Sequence, residues 1–172
     1  MKIASQFLIA ETDEWHVSHR ANSALPGYLI IASKRAADNL SDLADDALRE
    51  IGPLLASAQA ALKRELCARR VYIGRYGHVA GLAFHFHIIP IYDWVEALFW
   101  QDVRYRVLGQ FAEGEGETET DGAELTLFVW REFCERVQPP PIEGPAVPEV
   151  IELLRKSLRL RPPMVGLPSS DA

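Results

Sequence analysis

The run Phe84-His85-Phe86-His87-Ile88-Ile89 constrains what this chain can fold into more than any other segment. Large apolar residues alternate with histidines, and a period of two marks a β-strand with unlike faces. One face carries Phe84, Phe86 and Ile88 and has to be covered by another layer. The other presents two imidazoles that extended geometry places about 6.6 Å apart. Pro90 follows; it has no N–H for a ladder, so the strand is expected to end there.

A covering layer is encoded upstream. Leu43, Ala47, Ile51, Leu54, Leu55, Ala58, Leu62 and Leu66 recur at helical spacing and make one apolar stripe, with Ser41 placed as the N-cap. Gly52-Pro53 interrupts it. Either the helix kinks there, or two helices abut with Pro53 in the first turn of the second. Strand character is also found at residues 6–9 and 15–18, around an acidic turn at 11–14. It returns at 28–32, after the turn Leu25-Pro26-Gly27, and at 71–75. A glycine-containing loop, 76–81, leads into the histidine strand.

Beyond it, Val95, Phe99, Val103 and Val107 predict a helix over 94–111, and 125–137 is apolar and helical in pattern. Eight of the eleven prolines lie between Pro139 and Pro168, so the tail reads as an extended arm. It carries one short basic helix near 149–160 and wraps the body or a partner chain. The expected class is α+β: a mainly antiparallel sheet of about five strands, one long helix packed on it, and a C-terminal helical extension.

A chain of 172 residues suggests one domain. Within it, 1–112 forms the main body, 113–124 an acidic loop, and 125–172 an extension of the same domain. The net charge of −6 comes entirely from that loop, where Glu113, Glu115, Glu117, Glu119, Asp121 and Glu124 have no basic neighbour. Elsewhere 18 positive and 18 negative charges balance, which argues against a diffuse basic surface for a nucleic-acid polymer. Cys67 and Cys134 have no C-x-x-C spacing, which fits a reducing compartment and argues against a disulfide framework or a thiolate metal site.

No apolar run reaches the roughly 18 residues of a membrane span. Residues 3–10 contain Ser5 and Gln6 and run into Glu11-Thr12-Asp13-Glu14 without a small-residue cleavage site, so they read as a strand rather than a signal peptide. The expectation is a cytoplasmic protein with no membrane partner.

Three of the five histidines, His78, His85 and His87, fall within ten residues. An H-x-H pair on a strand is either two partly exposed sheet histidines or part of a metal site. The metal reading needs a third ligand, and neither a cysteine pair nor H-E-x-x-H supplies one.

The segment from Gly77-His78 through Ala83-Phe84-His85-Phe86-His87-Ile88-Ile89-Pro90 resembles the signature of the histidine triad (HIT) superfamily, in particular its diadenosine polyphosphate hydrolases. Aligned on Pro90, the family's middle histidine falls on His85 and its last on His87, while its first falls on Ala83. Its Gly-Gln pair falls on Gly77-His78. Upstream, Leu25-Pro26-Gly27-Tyr28-Leu29-Ile30-Ile31 is similar to the family's turn into a nucleotide-pocket strand, and the resemblance covers roughly residues 1–92.

The resemblance implies that His85 attacks the α-phosphate of a dinucleoside polyphosphate or a nucleoside phosphoramidate. The nucleotidyl-histidine so formed is then hydrolysed by water, without a metal or other cofactor. Neutral imidazole is a good nucleophile near pH 7, and a hydrogen bond from its other nitrogen to a backbone carbonyl would fix the tautomer. His87 would donate to non-bridging oxygens, and His78 would bond the bridging oxygen or protonate the leaving group; the alternative for His78 is a solvated loop residue. Gly77, Arg20, Asn22 and Tyr28 would bind substrate. The expected partner is a nucleotide, and the expected assembly a homodimer.

Two departures from the pattern matter. Ala83 cannot act as a donor or orienter through its side chain. Arg20 stands where the family has Asp or Asn for the ribose hydroxyls, and arginine donates but cannot accept. Asn22 takes that role if the turn differs by two residues; alternatively, Arg20 binds a distal phosphate. These departures keep open a nucleotide-binding module with little catalysis. His16 and His19 are assigned no role. The aromatic segment around Trp94 and Trp100 is either core and interface packing or a cover that stacks on a base.

Overall fold

The alternating run becomes β5 (Ala83–Ile91), which lies between β3 (Leu29–Ala36) and β4 (Arg70–Gly74) in a sheet of order β1-β2-β3-β5-β4. With β1 (Leu8–Glu11) and β2 (Trp15–His19), the described sheet has five strands, and every pairing is antiparallel. The computed structural model describes residues 3–76, 83–105 and 122–158.

Register assigns the two faces. Ile31 pairs with Phe86, Leu29 with Ile88 and Val17 with Ile31, which puts these side chains on one side with Trp15. The Trp15 ring packs against Phe84 and Phe86 at centroid distances of 6.5 and 6.3 Å, and its indole N–H donates to the Ala47 carbonyl of α1 (Asp45–Leu66) at 3.0 Å. The aromatic half of β5 and the long helix therefore cover each other. The stripe Ala47, Ile51, Leu54, Ala58, Ala61, Leu62 is buried, and its removal from water is the main stabilising term of this layer.

Pro53 lies inside α1 without splitting it. Gly52 and Pro53 are both exposed, so the carbonyl that loses its partner can turn to water. The helix does not start from a Ser41 cap. Residues Leu40–Asp42 form a separate 3₁₀ turn closed by the Asp42 carboxylate, which accepts the Asn39 backbone N–H at 2.9 Å. α1 begins at Asp45, where Asp45 and Asp46 place carboxylates at the positive end of the helix dipole.

β5 also runs through Pro90 to Ile91 instead of stopping before it. The β3 register ends at Leu29 with Ile88, so at Pro90, opposite Val71, β5 has a neighbour on the β4 side only. A residue without an N–H is tolerated at such an edge.

α2 (Asp93–Gln101) is shorter than the expected 94–111 helix. Asp102 accepts the Arg104 backbone N–H at 3.1 Å, and this local turn competes with further helix. Residues 106–111 of that expectation lie outside the described residues, as do 77–81 of the glycine loop, 113–121 of the acidic loop and everything after 158. Glu124 does not belong to an exposed loop. It lies in α3 (Gly122–Trp130) and is buried. α3 continues into a wider π-type turn, Arg131–Glu135.

The proline-rich arm returns to the body through α4 (Val147–Ser157), which buries Val150, Ile151 and Leu154. The Arg155 guanidinium donates to the carbonyls of Leu8 and Ser5, at 2.7 and 2.8 Å, which pins this helix to the first strand. Among the described residues no helix is long and apolar enough to cross a membrane.

Candidate active site

The face of β5 turned away from Trp15 carries His85 and His87, with ring centroids 5.0 Å apart. Their cross-strand partners are apolar: Ala32 opposite His85, Ile30 and Gly74 opposite His87. Gly74 makes room for what lies above it. A Cβ there would sit 2.7 Å from the Tyr76 ring, whose centroid is 5.4 Å from that of His87. The missing side chain lets Tyr76 lie over the strand beside the histidine.

His85 is half-buried, and its Nδ1 lies 3.0 Å from the Ala83 carbonyl. A carbonyl only accepts, so Nδ1 carries the hydrogen and the lone pair of the neutral ring is on Nε2. The alanine that cannot orient its neighbour through a side chain does so through its backbone.

His87 has the opposite arrangement. Its Nδ1 is 3.0 Å from the Tyr28 hydroxyl and 3.4 Å from Arg20 Nη1. Arg20 Nη1 also donates to the Tyr28 hydroxyl at 2.9 Å, so the phenol accepts from arginine and donates its own proton to the imidazole. Burial pushes the Tyr28 phenol up to about 12 against the opposing Arg20 charge, and it remains a donor throughout the physiological range. His87 is pushed down to about 4, first by burial, then by the Arg20 charge and by His85; a hydrogen bond with the Tyr76 backbone acts the other way. It is therefore neutral at pH 7, with its hydrogen on Nε2.

Arg20 is held from several sides. Its Nε donates to Asn22 Oδ1 at 2.8 Å, and its guanidinium carbon lies 5.1 Å from the Tyr28 ring centroid and 5.3 Å from that of Trp130. Cys134, half-buried in the turn after α3, hydrogen-bonds Ser23 and feels the Arg20 charge, although burial dominates and raises its thiol. The turn that delivers Tyr28 is fixed from below: Gly27 has φ +77°, and the buried Tyr92 hydroxyl donates to the Pro26 carbonyl at 2.8 Å.

Of the residues singled out from sequence, the structure brings Arg20, Asn22, Tyr28, His85 and His87 together on one face. Gly77 and His78 lie outside the described residues. His19 is buried on the opposite face, its two ring nitrogens 3.0 and 3.1 Å from the carbonyls of Arg20 and Leu25, of which a neutral ring can donate to one, and His16 pairs with Glu11 at 2.8 Å. Trp94 is not over the histidines; it stacks on Tyr92 and packs edge-on against Phe133, beside a cavity of about 320 Å³ lined by Pro26, Leu66, Cys67 and Pro145. Trp100 packs against Phe99. A tryptophan that does reach the site is Trp130, which sequence reasoning missed because nothing local links it to a segment over a hundred residues earlier.

The arrangement offers one imidazole with an outward lone pair, a neutral imidazole beside it, and an oriented cation. Among the described residues no group of three or more His, Cys, Asp or Glu converges as a metal ligand set, so the third ligand of the metal reading has no candidate there.

No family model matches the chain, and no curated protein sequence is similar to it. Solved structures are similar in fold. A Hit-like protein involved in cell-cycle regulation from Bartonella henselae superposes with a TM-score of 0.50 at 16% identity, over 88% of this chain and 86% of that one. A zinc-bound histidine triad family protein from Mycobacterium smegmatis gives a TM-score of 0.50 at 12% identity, over 87% and 81%. A uridylyltransferase gives a TM-score of 0.51 at 15% identity; there 90% of this chain matches 41% of the other.

Proposed function

We propose, taking as premise that the chain has the histidine triad fold, that it is a nucleotide hydrolase with His85 as nucleophile. The substrate class is a dinucleoside polyphosphate or a nucleoside phosphoramidate. The observation that carries this reading is the 3.0 Å contact between His85 Nδ1 and the Ala83 carbonyl, which puts the lone pair of the neutral ring on Nε2.

In the first step that lone pair attacks the α-phosphorus and a P–N bond forms. The bond from phosphorus to the leaving phosphate or amine breaks, and the leaving group takes up a proton that comes ultimately from solvent. The imidazole becomes cationic on bonding phosphorus, and the Nδ1–H bond to the Ala83 carbonyl strengthens as it does so. In the second step water adds to the phosphorus, the P–N bond breaks, one proton passes to solvent and His85 returns to its neutral form. His87, neutral with its hydrogen on Nε2, turns that hydrogen from the Tyr76 backbone to a non-bridging oxygen when the phosphate enters. Arg20, steadied by Asn22 and Tyr28, supplies positive charge close by.

His78, as the group that bonds the bridging oxygen or protonates the leaving group, and Gly77, as a substrate-binding residue, belong to this proposal. So does treating 1–112 and 125–172 as one functional unit, because Trp130 from the second part packs on Arg20 from the first. A fold shared at 12–16% identity supports the class of chemistry, and the histidine geometry supports the role of each group.

The test is turnover of diadenosine polyphosphates and adenosine phosphoramidate in the presence of a chelator, comparing wild type with His85→Ala. Release of AMP by wild type, falling at least about a thousandfold in the variant, is the expected result. Tight nucleotide binding with no turnover by either protein replaces this reading with a binding module. Turnover that the chelator abolishes replaces it with a metal-dependent reaction.

A further inference from the structure

Arg20 lacks what many other arginines of the chain have. Arg49, Arg64, Arg69, Arg104, Arg131 and Arg155 each pair with a carboxylate. Among the described residues no carboxylate reaches Arg20. Its partners are an amide oxygen, a phenol and a neutral imidazole, which orient the guanidinium without neutralising it. Nε and Nη1 are occupied by these groups, and Nη2 has no partner among the described residues. The Tyr28 and Trp130 rings lie beside the guanidinium and stabilise a cation without supplying a counter-charge.

A guanidinium has donors and no acceptor, so whatever meets its open edge has to accept, and an uncompensated positive charge favours an anion. The position of the guanidinium is informative. Nη1 is 3.4 Å from His87, and the His87 ring is one ring away from His85, at 5.0 Å. The cation is thus displaced along the face from the nucleophile, with the His87 ring between them. Because the fork is already held by Asn22, Tyr28 and Trp130, little side-chain freedom is lost when an anion docks.

We infer that the substrate carries a second phosphoryl group, beyond the one His85 attacks, and that the free Nη2 edge of Arg20 receives it. This rests on the nucleotide reading of the site and narrows it. Nucleotides with two or more phosphoryl groups are the preferred ligands, and those with one, including a simple phosphoramidate, are poor ones. The second group is either on the anhydride chain or on the sugar, since both present the same oxygens.

The test is binding, measured by calorimetry on full-length His85→Ala so that turnover does not intrude. ADP and adenosine 3′,5′-bisphosphate represent the two positions of the second group, and AMP is the single-phosphoryl reference. One of the first two binds at least about tenfold more tightly than AMP, the scale of one charge-assisted contact. Arg20→Gln weakens the favoured two-phosphoryl ligand at least about fivefold more than it weakens AMP, while Arg20→Lys, keeping the charge without the fork, retains part of the preference. Three results overturn the inference: equal affinity for all three ligands, no binding of any, or an Arg20→Gln variant weakened equally toward all of them. The last would mean that Arg20 only props Tyr28 against His87. Failure of wild type to turn over any substrate would sink the hydrolase reading and leave this comparison standing.

Discussion

Two histidines on one strand face are set in opposite states by a single atom each. The Ala83 carbonyl fixes the hydrogen of His85 on Nδ1, and the Tyr28 hydroxyl fixes that of His87 on Nε2. The alternation of β5 made the shared face legible from sequence, and a backbone carbonyl as orienter was expected in kind. The partner of His87 was not, because the Tyr28 contact depends on a register between strands almost sixty residues apart. A pH dependence follows from His87. Its folded value is about 4 and an unfolded histidine titrates near 6.5, so between these values the unfolded chain binds a proton that the folded one does not. Stability therefore falls as pH drops from about 6.5 to about 4, by about 3 kcal/mol in all, and His19, lowered by burial, adds in the same direction. Urea midpoints measured across this window decline steeply in wild type and much less in His87→Asn. Equal slopes would place the titration elsewhere.

At the level of elements, patterns that repeat within one segment were legible. The two-residue period of β5 and the helical stripe of α1 each name a face, and the structure covers those faces with one another. Boundaries were less legible, since they turn on competition between nearby groups. Asp42 closes a turn that displaces the helix start from Ser41 to Asp45, and Pro90 stays in its strand because β3 ends beside it. The turn before β3 is the most demanding local structure. Gly27 adopts φ +77°, and a Cβ there would lie 2.7 Å from Leu66 Cδ1 and 2.9 Å from Leu62 Cδ2. Gly27→Ala is expected to cost about 1–3 kcal/mol of stability, read as a lowered urea midpoint, and to shift Tyr28 away from His87. An unchanged midpoint would show that the turn relaxes at no cost.

The whole molecule assembles the site from distant parts. Arg20 and Tyr28 flank the turn between β2 and β3, the histidines come from β5, and Trp130 comes from the last residue of α3. The Ala24 N–H donates to the Phe133 carbonyl at 2.8 Å, which joins that turn to the C-terminal half. This joint was illegible in sequence: a tryptophan on an apolar helix carries no mark of which loop it will meet. The central claim concerns one atom, Nε2 of His85, and intact-mass measurement tests it directly. Wild-type protein mixed with excess diadenosine triphosphate and quenched within one turnover is predicted to carry a single nucleotidyl group. Peptide mapping is predicted to place it on His85, with none on His85→Ala. Steady AMP release from wild type with no adduct at any quench time, or an adduct that persists on the variant, would contradict the assignment.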